Sequence, residues 1–194
     1  MKKKSKKLNP RRIPLAKSQI KNSDILEEAT KDDMFRAWLL VLNALFDQEM
    51  ISKEEIPELV GCVNRYMQRT SYSQNEKDNN LRRAITLMGI PCPYEHISPD
   101  GVKSTVELEA FKKKVRKVAI HTALSVVCLG IDSYGKYDHE QIRRIFFNVD
   151  LTLAELEHGT TSYPELYKLL ETRGIVLERE NDDFQHATVI APTS

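Results

Sequence analysis

The chain has 194 residues, of which 41% are apolar and only seven are glycine, enough to bury a substantial core and too ordinary a mixture for a collagenous or low-complexity protein. No apolar run reaches the roughly 20 residues that cross a bilayer: the longest, Val118 to Ile131, is broken by His121, Thr122 and Ser125 and reads as a buried helix. Three cysteines, Cys62, Cys92 and Cys128, are odd in number and form no C-x-x-C pair, which excludes a disulfide framework and a zinc ribbon.

The net charge of +1 hides an asymmetry. Residues 1–22 carry Lys2, Lys3, Lys4, Lys6, Lys7, Arg11, Arg12, Lys17 and Lys21 with no acid, so residues 23–194 carry −8. With Pro10, Pro14 and few large apolar side chains, this stretch cannot offset the entropy of its own ordering, and it is expected to be a mobile basic arm on an acidic body. Nothing at the N-terminus resembles the apolar segment of a signal peptide, so the expectation is a cytoplasmic protein without a membrane partner.

Asp24 with Glu27 has the spacing of a capping box, in which an N-cap oxygen and a carboxylate three residues on satisfy two free amide donors. A long helix is predicted from there to about Gln48, with Ile25, Phe35, Trp38, Leu39, Leu42, Leu45 and Phe46 on one broad face. Ser52 with Glu55 opens a second helix, carried to about Arg69 by Ile56, Leu59, Val60, Val63 and Met67; Pro57 lies too deep for the ideal first position and predicts an irregular first turn. Thr70–Asn80 is polar and loop-like, Leu81–Met88 a short helix, and Gly89 is placed to close it in the left-handed conformation.

Pro91-Cys92-Pro93 to Pro99-Asp100-Gly101 is the natural connector. Ser104 with Glu107 then starts a helix that Gly130 can end. Asp138 with Gln141 caps another through Ile142, Ile145, Phe146, Val149 and Leu153, and Ser162 with Glu165 caps a last one, Pro164 to Arg173, closed by Gly174. Beyond Arg179 the tail is charged, and Ala187–Ala191 reads as a short strand or an unstructured end.

The order long helix, medium helix, short helix, Gly-Ile therefore occurs twice. Ser52, Ile56, Leu59 and Val63 stand opposite Asp138, Ile142, Ile145 and Val149 at an offset of 86, and Leu81, Gly89 and Ile90 stand opposite Leu166, Gly174 and Ile175 at 85. The predicted fold is all-α, two similar three-helix units in tandem behind the arm: arm 1–22, unit 23–92, linker 93–103, unit 104–178, tail 179–194.

No phosphate-loop, dinucleotide, nucleophile-elbow or H-E-x-x-H motif occurs. Cys92 and His96 lack the second ligand pair that a zinc site needs, and His121 sits in an apolar helix face without a partnered nucleophile, as a satisfied buried histidine does. The expectation is a protein that is not an enzyme, with no cofactor and no metal. The lysines and arginines of the arm, Lys2, Lys3, Lys4, Lys6, Lys7, Arg11 and Arg12, can neutralise phosphates and release counterions. Lys112, Lys113, Lys114 and Arg116 form a second basic cluster on a helix, with Glu107 and Glu109 one turn earlier available to pair with it.

Asn9-Pro10-Arg11-Arg12-Ile13-Pro14, followed by capped amphipathic helices and the closing segment Leu166 to Ile175, resembles a group of small helical proteins encoded by phages and prophages of Gram-positive bacteria, single units with the same N-P-R-R opening. The resemblance implies a setting and no reaction: an accessory protein of a phage or mobile element that acts by binding in the host cytoplasm. The first expectation is docking on nucleic acid or a nucleoprotein through the arm. The alternative is inhibition of a host defence protein, with the acidic body, including Glu54, Glu55, Glu155 and Glu157, as a decoy for a nucleic-acid groove.

Overall fold

The computed structural model describes residues 33–69, 74–90, 104–179 and 187–190. The arm with its nine basic residues, the helix start at Asp24, the linker and the Cys92–His96 pair lie outside the described residues. The elements are α1 (Asp33–Asp47), a 3₁₀ turn (Lys53–Glu55), α2 (Ile56–Arg69), α3 (Gln74–Met88), α4 (Thr105–Tyr134), α5 (His139–His158), α6 (Tyr163–Thr172), β1 (Val176–Arg179) and β2 (Ala187–Ile190). The chain is predominantly helical, as expected. To this the tail adds a small antiparallel ladder, β1 on β2, with Val176 opposite Ile190 and Arg179 opposite Ala187. No described helix is long and apolar enough to cross a membrane.

Local chemistry sets most of the helix ends. Asp138 accepts from the Gln141 amide at 2.8 Å while the Gln141 side chain accepts from the Asp138 amide at 2.9 Å, the reciprocal box that its spacing predicts. Ser104 accepts from the Glu107 amide. Pro57 follows a 3₁₀ turn, the irregular start expected of a proline one position too deep. Gly89 and Gly174 have φ of 71° and 75°, the left-handed closure predicted for both. At α6 the box does not form: the Ser162 hydroxyl donates to the Glu165 carboxylate at 2.7 Å and caps no amide.

Two boundaries differ from the sequence reading. Helix α3 begins at Gln74 and takes in much of the expected loop Thr70–Asn80; Ala84, Leu87 and Met88 are buried, and once they anchor the helix, a polar turn ahead of them adds backbone hydrogen bonds at the surface. Helix α4 runs straight through Gly130 and ends at Gly135, which has φ of 74°. Gly130 serves a close approach instead: a Cβ there would lie 2.6 Å and 2.8 Å from the two methyl groups of Val63 on α2, so the missing side chain is what lets α4 settle on α2.

The core is one cluster drawn from both stretches of the apparent repeat, so the two units do not form separate lobes. Of the side chains expected inside, Trp38, Leu42, Leu59, Val63, Leu124, Val127, Ile142, Ile145 and Val149 are buried. Phe46 is half-buried under the Arg173 guanidinium, which sits 5.6 Å above its ring. Helix α1 is buried on all sides from Ala37 to Leu45 and not on one face; Asn43 within it donates to the carbonyls of Leu39 at 2.8 Å and of Leu166 at 3.2 Å.

The long helices pack across the halves. Helix α1 lies against α4, α5 and α6, whereas α4 lies against α1, α2 and α3. Polar contacts follow the same exchange. Gln48 donates to the Arg144 carbonyl at 3.2 Å and the Tyr134 hydroxyl donates to Glu58 at 3.3 Å; shifting Gln48 forward by 86 gives Tyr134, and shifting Arg144 back by 86 gives Glu58. Asp47, at the end of α1, pairs with Arg173 at 2.5 Å, and Asp132, in the last turn of α4, pairs with Arg83. Lys136 donates to the Met50 carbonyl at 3.4 Å and to Glu55 at 2.5 Å. That bond, with those from the Ser52 amide and hydroxyl, holds the Glu55 carboxyl down to about 2.

Truncating Leu42 or Ile145 to alanine should cost about 2–5 kcal/mol, read as a fall in the urea midpoint; an unchanged midpoint would show that the core is elsewhere. Gly130→Ala tests the close approach. Alanine gains about 1 kcal/mol in helix propensity, and overpacking costs roughly 1–3 kcal/mol. With Val63 held on both helices, Gly130→Ala should destabilise, and Val63→Ala in the same chain should recover most of the loss. The stability that Glu55 contributes is present above the ordinary carboxylate value of 4.5 and is lost as pH falls from there through about 2. Lys136→Met should raise the Glu55 titration midpoint in an NMR titration and flatten the stability curve across that window.

Candidate nucleic-acid interface

Helix α4 places Lys113, Arg116, Lys117, Ile120 and His121 along one face, because spacings of three and four return to the same side of a helix. That face forms one wall of a cleft of about 480 Å³. The end of α5 supplies the opposite wall with Asp150, Leu153, Leu156 and Glu157, and the cleft is closed by Asp33 and Arg36 from the start of α1 and by Tyr163 from the start of α6. Ile120 and His121 are only 6% exposed, so the floor is apolar with one polar ring set into it.

Charge in the cleft is partly committed. Arg36 pairs with Asp33 at 3.4 Å and lies 5.2 Å over the Tyr163 ring. Lys117 donates to Glu157 at 3.2 Å; this bond, with the nearby charge of Lys113, holds the Glu157 carboxyl below the usual carboxylate range. Burial pushes the Tyr163 hydroxyl above its ordinary value, so it remains a neutral donor at physiological pH. The His121 Nδ1 lies 2.7 Å from the Lys117 carbonyl. A carbonyl only accepts, so Nδ1 donates and Nε2 of the neutral ring is left as an acceptor.

Of the four basic residues predicted on this helix, Lys113 and Arg116 reach the cleft. Lys112 turns to Glu109 at 3.8 Å, the pairing anticipated from spacing, and Lys114 is exposed away from the cleft lining. Sequence reasoning missed Arg36, Asp33 and Tyr163, which belong to the cleft only through tertiary packing; the one local signal was His121, a polar ring in an apolar stripe. The arm lies outside the described residues, the first of which, Asp33, lines this cleft.

A second groove, of about 490 Å³, runs beside the end of α3 and is lined by Gln48, Ile90, Arg143, Arg144 and Phe147. It presents apolar surface, with Phe147 62% exposed, and no side chain lining it is a buried histidine or acid. Among the described residues no group of three metal-ligating side chains occurs. Burial pushes the Cys128 thiol well above its ordinary value, which makes it a poor nucleophile. Compared with protein-family models, curated proteins and solved structures, the chain matches none.

Proposed function

We propose that this protein is a non-enzymatic accessory binding protein that docks on nucleic acid or a nucleoprotein, with the basic arm and the α4 face acting as one surface. The observation that carries this reading is the set of cations at the cleft: Lys113, Arg116 and Lys117 of α4 line it together with Arg36 of α1. Cations on the folded surface would hold the register of a phosphate backbone, and the lysines of the arm would add affinity by releasing counterions. Inhibition of a host defence protein through body acids draws less support, because two of those acids, Glu55 and Glu157, are already bonded to Lys136 and Lys117.

The body fits the reading of two diverged copies of one three-helix unit. Ile56 and Ile142, Leu59 and Ile145, and Val63 and Val149 are buried pairs. Glu49 has φ of 54° and Gly135, 86 residues later, has φ of 74°; a glutamate in the left-handed region is uncommon unless the surrounding turn requires it. The phage or mobile-element setting suggested by the N-P-R-R opening completes the proposal.

The test is titration of full-length and arm-deleted protein, lacking residues 1–22, against duplex and single-stranded DNA and RNA at two salt concentrations. Full-length protein should bind and lose affinity steeply with salt, arm deletion should remove most of the affinity, and Lys113→Glu with Arg116→Glu should weaken it further. No binding by the full-length chain to any of these polymers would falsify the reading.

A further inference from the structure

A cleft that only tracked a phosphate backbone would need cations and little else. This one also has a floor of Ile120 and Leu153, an aromatic ring at one end, Tyr163, and a buried histidine whose second nitrogen is left as an acceptor. Its volume, about 480 Å³, falls in the range of small-molecule sites, roughly 300–1,000 Å³. An apolar floor with one fixed polar ring, under walls where Arg36 and Lys117 are already paired with Asp33 and Glu157 and Lys113 and Arg116 stand at the mouth, suits a ligand that is planar and hydrogen-bonding at one end and anionic at the other.

We propose that the cleft holds one nucleotide unit, with its phosphate at Lys113 and Arg116, its base against the Tyr163 ring and the apolar floor, and an exocyclic amino group of the base donating to His121 Nε2. This rests on the nucleic-acid reading and extends it from backbone contact to the capture of a single base. The geometry has a reason for each part. Lys113 and Arg116 are exposed on α4 at the cleft mouth, where a phosphate stays solvated on one side, whereas His121 is deep in the floor, where a hydrogen bond is stronger for lack of competing water. The Lys117 carbonyl fixes the ring orientation, so the acceptor is in place before a ligand arrives. Arg36, whose guanidinium carbon lies 5.2 Å from the centre of the Tyr163 ring, adds a second planar group of the kind on which bases stack.

The experiment is calorimetric titration of the full-length protein at pH 8 with the 5′-monophosphates of adenosine, cytidine and uridine, with the matching nucleosides and with inorganic phosphate. Adenosine and cytidine monophosphate should bind saturably and more tightly than their nucleosides or phosphate alone. Uridine monophosphate, lacking the exocyclic amino group, should bind about fivefold more weakly, the worth of one neutral hydrogen bond. Arg116→Glu and Tyr163→Ala should each weaken adenosine monophosphate roughly tenfold, whereas Arg82→Glu, the same charge change on the exposed side of α3, should leave it unchanged. Binding of polymers without saturable binding of any mononucleotide overturns the cleft proposal and leaves the nucleic-acid reading standing; binding of neither overturns both. Equal affinity for the three monophosphates removes the assignment to His121, and equal losses from Arg116→Glu and Arg82→Glu show a general charge effect and overturn the site.

Discussion

Nine consecutive residues of α1, Ala37 to Leu45, are withdrawn from water, and the other helices are arranged as they must be to surround such a segment. A helix with apolar side chains on every face cannot lie at a surface. It needs neighbours around its whole circumference, and α4, α5 and α6 supply them. Asn43, the one amide side chain in the run, has its Nδ2 hydrogens accepted by the Leu39 and Leu166 carbonyls, which offsets part of the several kcal/mol that burying an amide without a partner costs. That second bond also ties α6 to α1. Helix α4 is the counterpart, buried through most of Ala123 to Ile131, and its approach to α2 is set by the absence of a side chain at Gly130.

Where the sequence could be read directly, the signal was local. The box at Asp138, the glycines at 89 and 174 and the irregular turn before Pro57 depend on residues within a few positions of one another. Gly130 was misread as a helix end because a glycine that relieves a contact looks the same in sequence as one that takes a positive φ. The face reading of α1 was too narrow for a similar reason: spacings of three and four are satisfied by any dense apolar run, and only the number of surrounding helices shows whether one side or all sides are covered. The repeat pointed to two lobes because similar halves suggest similar self-contained bodies. The packing instead trades long helices between the halves, and sequence periodicity carries no information about which copy a face will meet.

The cleft shows the same division. A basic stretch on a helix was visible at Lys112 to Lys117, and the pairing of Lys112 with Glu109 followed from spacing. That Lys113 and Arg116 would face Arg36, Asp33 and Tyr163 could not follow from any window of sequence, because those residues lie in α1 and at the start of α6. His121 was legible as an anomaly in its stripe, but the carbonyl that fixes its tautomer became evident only from the helix geometry.

The exchange of long helices bears on the order of events during synthesis. Among the described residues, the helices that enclose α1 begin at Thr105, so when the first ninety residues have left the ribosome, none of those helices is yet available to its nine-residue apolar run. Contacts between residues far apart in the chain form slowly, since loop closure must come before any burial is gained. The early half therefore faces a window in which association with other nascent chains competes with waiting for its own second half. Synthesis rate and chaperone supply, more than final stability, would then govern how much of this protein reaches its native state.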